Sequence, residues 1–221
     1  MKFPEDSASF YDNQTKSANP IRSWWHKTRH KTILELVTKY NDGGQIADLG
    51  CSNCTWNYGR TFKKVIGIDK NKAALDYAQK LGRIQQSYTC DLANTPLPNN
   101  SCSLVILSEV LEHTKSPEQV LDEAKRILDW NSYLIVSVPY DTNLSLWKPL
   151  FTLQCIYWGN IKGSKYYKQH CGHIHHFSPA SLKRILEDAG FDIHKLFSIK
   201  RFTIFAVAQK GGKYYARIHK R

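Results

Sequence analysis

The stretch Gln45-Ile-Ala-Asp-Leu-Gly-Cys-Ser-Asn-Cys-Thr55, followed by Val65-Ile-Gly-Ile-Asp69, decides the fold of this chain. Each begins with an apolar run that ends in an aspartate, and the first run breaks at Gly50. This pattern predicts a buried strand, a tight loop over a ligand, and a second strand whose carboxylate reaches a ribose. Asp69 follows Gly50 by close to the roughly 20 residues that separate a nucleotide-binding loop from its ribose-binding acid. We therefore expect a nucleotide-binding α/β domain.

The residues missing from the loop indicate which nucleotide it binds. A dinucleotide loop needs three glycines, but Ser52 and Cys54 stand where the second and third would be. The loop does not end in the Gly-Lys-Ser/Thr of a phosphate-binding P-loop. Asp48 would be unfavourable beside a phosphate and suits a ligand with an amino group and a positive centre. The loop thus favours S-adenosylmethionine.

Three further segments extend the pattern along the chain. Asp91 follows a short apolar strand, where its carboxylate can accept from an adenine amino group. Residues 103–113 predict a fourth buried strand that runs into a helical turn. Ser116 and Pro117 begin a helix with apolar residues at helical spacing, and residues 133–139 predict a fifth strand. The order is that of an alternating α/β sheet.

Taken in order, Asp-x-Gly, Asp69, Asp91-Leu92, Ser-Glu-Val-Leu-Glu-His at 108–113 and Ser-Val-Pro at 137–139 resemble class I S-adenosylmethionine-dependent methyltransferases. The likeness is greatest to the branch of the ubiquinone-pathway O-methyltransferases, and it covers about residues 45–209. It implies an α/β, doubly wound, Rossmann-like fold with helices on both faces. The implied sheet has seven strands, mostly parallel with the last strand antiparallel. The implied cofactor is S-adenosyl-L-methionine.

The resemblance also implies roles for particular residues. The methionine end of the cofactor is expected near Asp48 and Gly50, the ribose at Asp69, and the adenine at Asp91. Glu109 and His113 are expected to face the acceptor as the catalytic residues. The full implied cofactor-binding set is Asp48, Gly50, Cys51, Asp69, Lys70, Asp91, Leu92 and Ser108. Since Ser52 and Cys54 replace family glycines, backbone contacts in that loop are less determined.

The segment from Glu109 to His113 allows a second interpretation. On a helical turn Glu109, Glu112 and His113 share one face, and two carboxylates with an imidazole can hold a divalent cation. The same motif occurs in small-RNA 2′-O-methyltransferases, where it is associated with a metal that a later histidine completes. His173 or His176 could do that here. We assign no metal ligands and leave this alternative open.

Two other clusters of metal-ligand residue types have plainer interpretations. Cys51-x-x-Cys54 resembles half of a zinc site or a redox pair, but the nearest second pair is only Cys171 with His173. Small residues that fill a cofactor loop are the favoured interpretation. The second cluster comprises His170, Cys171, His173, His175 and His176. We interpret it as a polar rim beside the pocket.

The remaining segments define the expected organisation. Residues 1–40 form an N-terminal arm, polar to about residue 20, and a capping helix from Ile21 to Tyr40. In the family that the chain resembles, such a helix packs over the cofactor, so Tyr11 and Arg22 are candidate cofactor contacts. Residues 41–209 form the methyltransferase domain. In it, 140–172 is an inserted substrate lid, a late helix starts at Ser178, and the last two strands cover 191–199 and 202–208. Residues 210–221 form a basic tail.

Composition limits the cellular setting and the acceptor. The chain of 221 residues has six cysteines, no apolar signal-peptide core at its N-terminus and no window of membrane-span length, so a single cytoplasmic domain with reduced thiols is expected. A net charge of +12 and the acid-free tail favour a polyanionic neighbour, either RNA or an anionic membrane.

The aromatic and apolar residues 144–158, followed by Lys162, Lys165 and Lys168, favour a small aromatic or lipid-like acceptor. The alternatives are a tRNA or small-RNA methyltransferase and a catalytically silent S-adenosylmethionine-binding module. The retained Asp48, Asp69 and Asp91 argue against the silent module. The sequence leaves open the acceptor, the atom methylated and the oligomeric state.

Overall fold

The structure is a computed structural model that describes residues 7–142, 145–163, 167 and 173–211, without the side chain of Trp147. Its strands all belong to one sheet. They are β1 Ile46–Leu49, β2 Val65–Ile68, β3 Gln86–Tyr88, β4 Cys102–Ser108, β5 Leu128–Pro139, β6 Phe191–Ile199 and β7 Thr203–Lys210.

The helices are α1 Phe10–Thr15, α2 Pro20–Tyr40, α3 Lys72–Lys80, α4 Pro117–Ile127, α5 Trp147–Cys155 and α6 Pro179–Asp188. Short 3₁₀ turns cover Thr55–Asn57 and Leu111–His113, and a π-helical segment Ile156–Ile161 continues α5. Among the described residues, the helices are all too short or too polar to cross a membrane.

The sheet confirms the predicted fold class. Its order is β3-β2-β1-β4-β5-β7-β6. The first five strands are parallel, and β7 runs antiparallel to both β5 and β6. The direction of winding reverses between β1 and β4, which is where ligands bind in open α/β sheets, beyond the carboxyl ends of the strands.

Alternation along the strands builds a core on each face of the sheet. In β1, Ala47 and Leu49 pack with Leu121 of α4 and Leu186 of α6. Ile46 faces the other way, in the cluster that α2 and α3 cover. Because both faces are covered by helices, the central strands are buried throughout, as their continuous apolar runs predict.

Helix starts follow their capping residues. The side chain of Asn19 accepts from the backbone N–H groups of Ile21 and Arg22, at 3.0 and 3.2 Å, and so begins α2. Ser178 and Ser181 form a capping box at α6, as the Ser-Pro signal predicts. The N-terminal arm differs from the expected polar arm, because residues 10–15 form α1 and bury Asp12.

Candidate cofactor and acceptor site

A large cavity lies at the carboxyl ends of the strands. Its volume is about 1480 Å³, which exceeds the ~300–1,000 Å³ typical of a pocket for one small molecule. Its walls come from the loops after β1 to β4, from α1 and α2, and from α5. The cavity therefore has room for a cofactor and a second ligand.

Asp69 lies in the cavity wall directly after β2. Its carboxylate accepts from the backbone N–H of Ser52 at 2.7 Å and from that of Asn71 at 2.8 Å. Burial raises the pKa of Asp69, and the two amides oppose that shift. The amides hold the carboxylate rigidly, and its other lone pairs are available for a vicinal diol such as a ribose.

Asp91 and Leu92 line the same wall after β3. Asp91 accepts from the N–H of Ala93 at 3.0 Å, and its Oδ2 lies 3.3 Å from Lys70 Nζ. That backbone bond and Lys70 lower the pKa of Asp91, although the residue is exposed. The carboxylate is ionised and can accept from an exocyclic amine, with Leu92 beside it as an apolar surface.

Gly50 has a positive φ of 76°, and an added Cβ would lie 2.5 Å from Val110 Cγ2. The glycine is thus required by its backbone conformation and by the packing of Val110. The cysteines beside it are buried and free, and burial raises the pKa of the Cys51 and Cys54 thiols. These thiols have neither the exposure nor the ionisation of a redox pair.

Asp48 and Ser108 do not line the large cavity. Both lie instead on a small side cavity of about 30 Å³ behind Gly50. Asp48 accepts from Trp56 Nε1 at 2.7 Å, and burial raises the pKa of Asp48 to about 7. Ser108 Oγ lies 3.0 Å from Ser137 Oγ. A ligand group must enter this side cavity to reach Asp48.

The prediction that Glu109, Glu112 and His113 lie on one regular helical turn is wrong. Glu109 has a left-handed φ of 56° and precedes the short 3₁₀ turn, so it does not share a regular helical turn with the other two, although all three line the cavity. Its carboxylate accepts from Ser137 Oγ at 3.0 Å and lies 3.5 Å from Arg29 Nη1. Burial raises the pKa of Glu109, and Arg29 opposes that shift. The geometry suits a group that orients Arg29.

Glu112, His113 and His173 come together in the wall, with one ligand atom from each within 4.8 Å of the others. Glu112 is buried, and neither of its carboxylate oxygens has a hydrogen-bond partner among the described residues. Burial and the charge of Glu109 raise the pKa of Glu112. The group could hold a divalent ion, or Glu112 could be neutral. His176 pairs with Asp141 instead.

Sequence reasoning placed Tyr11 and Arg22 in the site, and both line the cavity. It missed Arg29, which looked like one more basic residue on a surface helix. It also missed the buried ion pair between Asp12 and Arg83. The sequence carries no local signal for either, because a charged residue is buried only where a distant partner meets it.

One part of the cavity wall is apolar. Leu150 and Phe151 of α5 and Trp158 of the π-helical segment line this part, in the same cavity as Asp69 and Asp91. Phe151 stacks on the His173 ring at 5.3 Å between centroids. The expectations for Leu144, Lys165, Lys168, His170, Cys171 and residues 212–221 lie outside the described residues, as does the Trp147 side chain.

The sheet order and the site together define a Rossmann-like, S-adenosylmethionine-dependent methyltransferase. A family model described as "Methyltransferase domain" matches residues 23–196, and the chain belongs to that family. The chain is therefore an enzyme of the methyltransferase class with S-adenosyl-L-methionine as its cofactor. The narrower likeness to the ubiquinone-pathway branch stays a prediction.

Relatives agree with that assignment. A Mycolicibacterium smegmatis protein named "Probable S-adenosylmethionine-dependent methyltransferase" is 23% identical over 207 residues, 85% of this chain and 71% of its own. Two Mycobacterium tuberculosis proteins with similar names are 23% identical over 124 residues, 54% of this chain, and this chain spans 44% of their length.

Two solved structures have the same fold. One is the complex of the Haloferax volcanii Trm112 methyltransferase activator with a methyltransferase, with a TM-score of 0.65, 15% identity and coverage of 90% of this chain and 97% of that one. The other is a methyltransferase from Aquifex aeolicus, with a TM-score of 0.60, 18% identity and coverage of 90% and 97%.

Proposed function

We propose that this methyltransferase transfers the methyl group of its cofactor to an oxygen atom of a small aromatic or lipid-like acceptor. The observation that carries the proposal is the apolar wall of Leu150, Phe151 and Trp158, in a cavity larger than one ligand needs. Flat or extended apolar molecules can fill such a wall. A sugar or phosphate backbone gains little from it.

The methyl-transfer reaction requires little chemical activation by the protein. Methyl transfer from a sulfonium is an in-line displacement on an already activated centre, so alignment and exclusion of water contribute most. His113, partly exposed in the cavity wall, is the group suited to accept the proton of an acceptor hydroxyl or to orient it. Glu109 acts indirectly in this proposal, because it is paired with Arg29.

An alternative role for His113 involves a metal. Glu112, His113 and His173 would then hold a divalent ion, which supplies a positive charge that favours the ionised form of an acceptor hydroxyl. The carboxylate of Glu112, which has no hydrogen-bond partner among the described residues, fits a metal ligand, and its raised pKa fits a neutral packing group. We assign no metal ligands, and the chelator experiment in the Discussion tests whether these three residues hold an ion.

The exposed surface of α5 and of the π-helical segment supports the proposal of a lipid-like acceptor. Leu153 and Ile161 are 64% and 68% exposed, and the flanking Lys148 and Lys162 are basic. Apolar side chains with basic neighbours are the composition of a surface that contacts anionic bilayers. The other apolar residues exposed on the segment are Leu146, Leu150, Ile156, Tyr157 and Trp158. An acceptor dissolved in a membrane could enter the cavity from this side.

An RNA acceptor is the alternative, and the net charge of +12 favours it. The charge serves either partner, whereas an apolar wall that includes the aliphatic Leu150 complements a lipid-like acceptor better than a phosphate backbone. The decisive experiment is methyl transfer from labelled cofactor to phenols, quinone precursors, fatty acids and tRNA, with the product identified by mass spectrometry. Methylation of a hydroxylated apolar acceptor, lost in His113→Ala and kept in His194→Ala on β6, supports the proposal. Methylation of tRNA alone overturns it.

A further inference from the structure

The cations that line the large cavity differ in whether a carboxylate lies beside them. Arg29, Lys70 and Lys72 lie 3.5, 3.3 and 2.7 Å from a carboxylate oxygen. Arg22 and Lys115 also line the cavity, and neither forms an ion pair with another described residue. Lys115 is exposed, whereas Arg22 is half-buried. Water therefore screens the charge of Lys115 more strongly, and Arg22 is the cavity cation best placed to attract an anion.

Tyr167 connects Arg22 of α2 to the helix α5. Arg22 Nη2 donates to the Tyr167 hydroxyl oxygen at 3.3 Å, and Gln154 Nε2 donates to the same oxygen at 3.1 Å. A neutral hydroxyl orients a guanidinium without cancelling its charge, and it uses only one of the five N–H donors of the group. Arg22 therefore keeps its positive charge and has donors for a ligand in the cavity.

Ring contacts join Arg22 and Tyr167 to the apolar part of the cavity wall. The Tyr167 ring stacks on that of Trp158, with 6.3 Å between centroids. Phe151 stacks on His173, whose ring centroid lies 4.8 Å from that of His113. Phe151 and Trp158 are about two helical turns apart, or roughly 10 Å. The apolar wall therefore has His113 near one end and Arg22 near the other.

We propose that Arg22 binds an acidic group of the methyl acceptor. The acceptor is then an amphiphile with a carboxylate or a phosphate at one end of an apolar body and the methylated hydroxyl towards the other. A guanidinium suits either anion because its N–H groups match two oxygens at once. The apolar body fills the wall of Leu150, Phe151 and Trp158.

This inference rests on the proposed apolar acceptor and goes beyond it, since it gives the acceptor a charge and names the residue that recognises that charge. Arg22 is thereby a specificity-determining contact of the acceptor. The sequence had suggested a contact with the cofactor instead. The two roles differ in which ligand loses affinity when Arg22 is replaced.

Calorimetric titration with naphthalene probes tests the charge without any methyl transfer. Naphthalene-2-carboxylate is an anion at neutral pH, and naphthalene-2-carboxamide is a neutral compound of nearly the same shape. The protein is first saturated with S-adenosylhomocysteine, so that the cofactor region is occupied. The carboxylate should then bind about 10-fold more tightly than the amide, as for a charge-assisted hydrogen bond at a half-buried site. Naphthalene-2-yl phosphate, titrated in parallel, distinguishes a preference for phosphate from one for carboxylate.

Three variants test whether the preference for an anion comes from Arg22. Arg22→Met should abolish it, while the affinities for the amide and for S-adenosylhomocysteine change by less than about twofold. Tyr167→Phe removes the hydroxyl that orients Arg22 and should reduce the preference by about threefold. Lys115→Met is the matched control, because it removes the same charge from an exposed position of the same cavity, and it should keep the preference.

The wild type alone supplies the first comparison, so the test does not depend on the folding of Arg22→Met. Equal wild-type affinity for the amide and both anions overturns this inference and leaves the apolar acceptor intact. Absence of binding by all three probes overturns both. If Arg22→Met loses as much affinity for S-adenosylhomocysteine as for the anions, Arg22 contacts the cofactor and the inference is wrong. An effect of Lys115→Met as large as that of Arg22→Met also overturns it.

Discussion

Asp12 and Arg83 form a two-pronged ion pair inside the protein, with Arg83 Nη1 2.9 Å from Asp12 Oδ1 and Arg83 Nη2 3.0 Å from Asp12 Oδ2. Arg83 follows α3, while Asp12 belongs to α1, so the pair ties the N-terminal helix to the domain. Arg83 Nη1 also donates to the carbonyl of Asn53 at 3.0 Å. The ion pair thus connects α1 with the loop after β1.

Removing one partner of this pair should cost much more than removing both. Asp12→Ala leaves the buried guanidinium of Arg83 uncompensated, so the free energy of unfolding should fall by about 3–5 kcal/mol. The double variant Asp12→Ala with Arg83→Met should lose less than Asp12→Ala alone. Urea denaturation measures both. As a control, Lys72→Met breaks the exposed pair with Asp76 and should cost less than about 1 kcal/mol.

The two carboxylates of the large cavity should contribute unequally to cofactor binding. Asp69→Ala should weaken binding of S-adenosylmethionine by about 2–4 kcal/mol, since Asp69 is largely buried and would lose charge-assisted bonds to a ribose. Asp91→Ala should have a smaller effect, because Asp91 is exposed and paired with Lys70. Asp76→Ala, on the surface of α3, is the control for calorimetry. A wild type that prefers NAD would contradict the site assignment.

Asp48 should make both stability and cofactor binding depend on pH near neutrality. Burial, with a smaller contribution from the charge of Asp69, raises its folded-state pKa from 3.8 to about 7. Between those values the folded protein holds a proton that the unfolded chain has released, so this contribution to stability falls as pH rises through the window. Asp48→Asn should therefore gain stability relative to wild type as pH rises from 5 to 8.

Binding should respond in the opposite sense at the same residue. An ammonium beside Asp48 favours its ionised form, so cofactor affinity should rise as pH increases through 7. Asp48→Asn should bind the cofactor more weakly at pH 8 and lose that part of the pH dependence. Thermal melts and calorimetry at pH 5.5, 7 and 8 measure the two effects. The same slope of affinity with pH in wild type and variant would exclude Asp48 as its source.

Methyl-transfer activity in the presence of a chelator distinguishes between Glu112 as a metal ligand and Glu112 as a neutral, buried packing group. With no metal assigned, methyl transfer should survive excess EDTA, and Glu112→Gln should fold normally because the amide resembles the neutral acid. If activity disappears in EDTA and returns with Mg²⁺ or Mn²⁺, Glu112, His113 and His173 hold an ion, and Glu112→Gln should then lose activity as well. Cofactor affinity is the internal control, since it should not change in EDTA.

The exposed face of α5 and of the π-helical segment that follows it should bind anionic vesicles through its apolar side chains. Leu153→Ser with Ile161→Ser removes apolar area worth about 25 cal/mol per Å² when buried, so the fraction that sediments with vesicles should fall. Trp130→Ser is the control, because Trp130 is 49% exposed but lies at the start of β5. Salt should weaken the binding. Retention of tRNA with a steep salt dependence, and no vesicle binding, would favour the RNA alternative.

The elements that the sequence predicted well are those whose signals are local. Uninterrupted apolar runs predicted β1, β2 and β4, because a strand covered on both faces has no polar side. Ser178 and Pro179 predicted the start of α6. Lys200 and Arg201 predicted the turn before β7, although both residues adopt positive φ values of 45° and 55° there. The start of β5 was missed, since the strand begins at Leu128 directly after α4, whereas its end at Pro139 was predicted.

By itself, the sequence determined the class of fold and the positions of Asp69 and Asp91 after their strands, because these follow from the periodicity of the apolar residues. The order of its motifs carried the resemblance to the methyltransferase family. Only the tertiary structure decided which charged residues are buried and what they face. Arg29 meets Glu109 across 80 positions of sequence, and Arg83 meets Asp12 across 71. The physical reason is that a buried charge is stable only beside its partner, and chain folding alone brings such partners together.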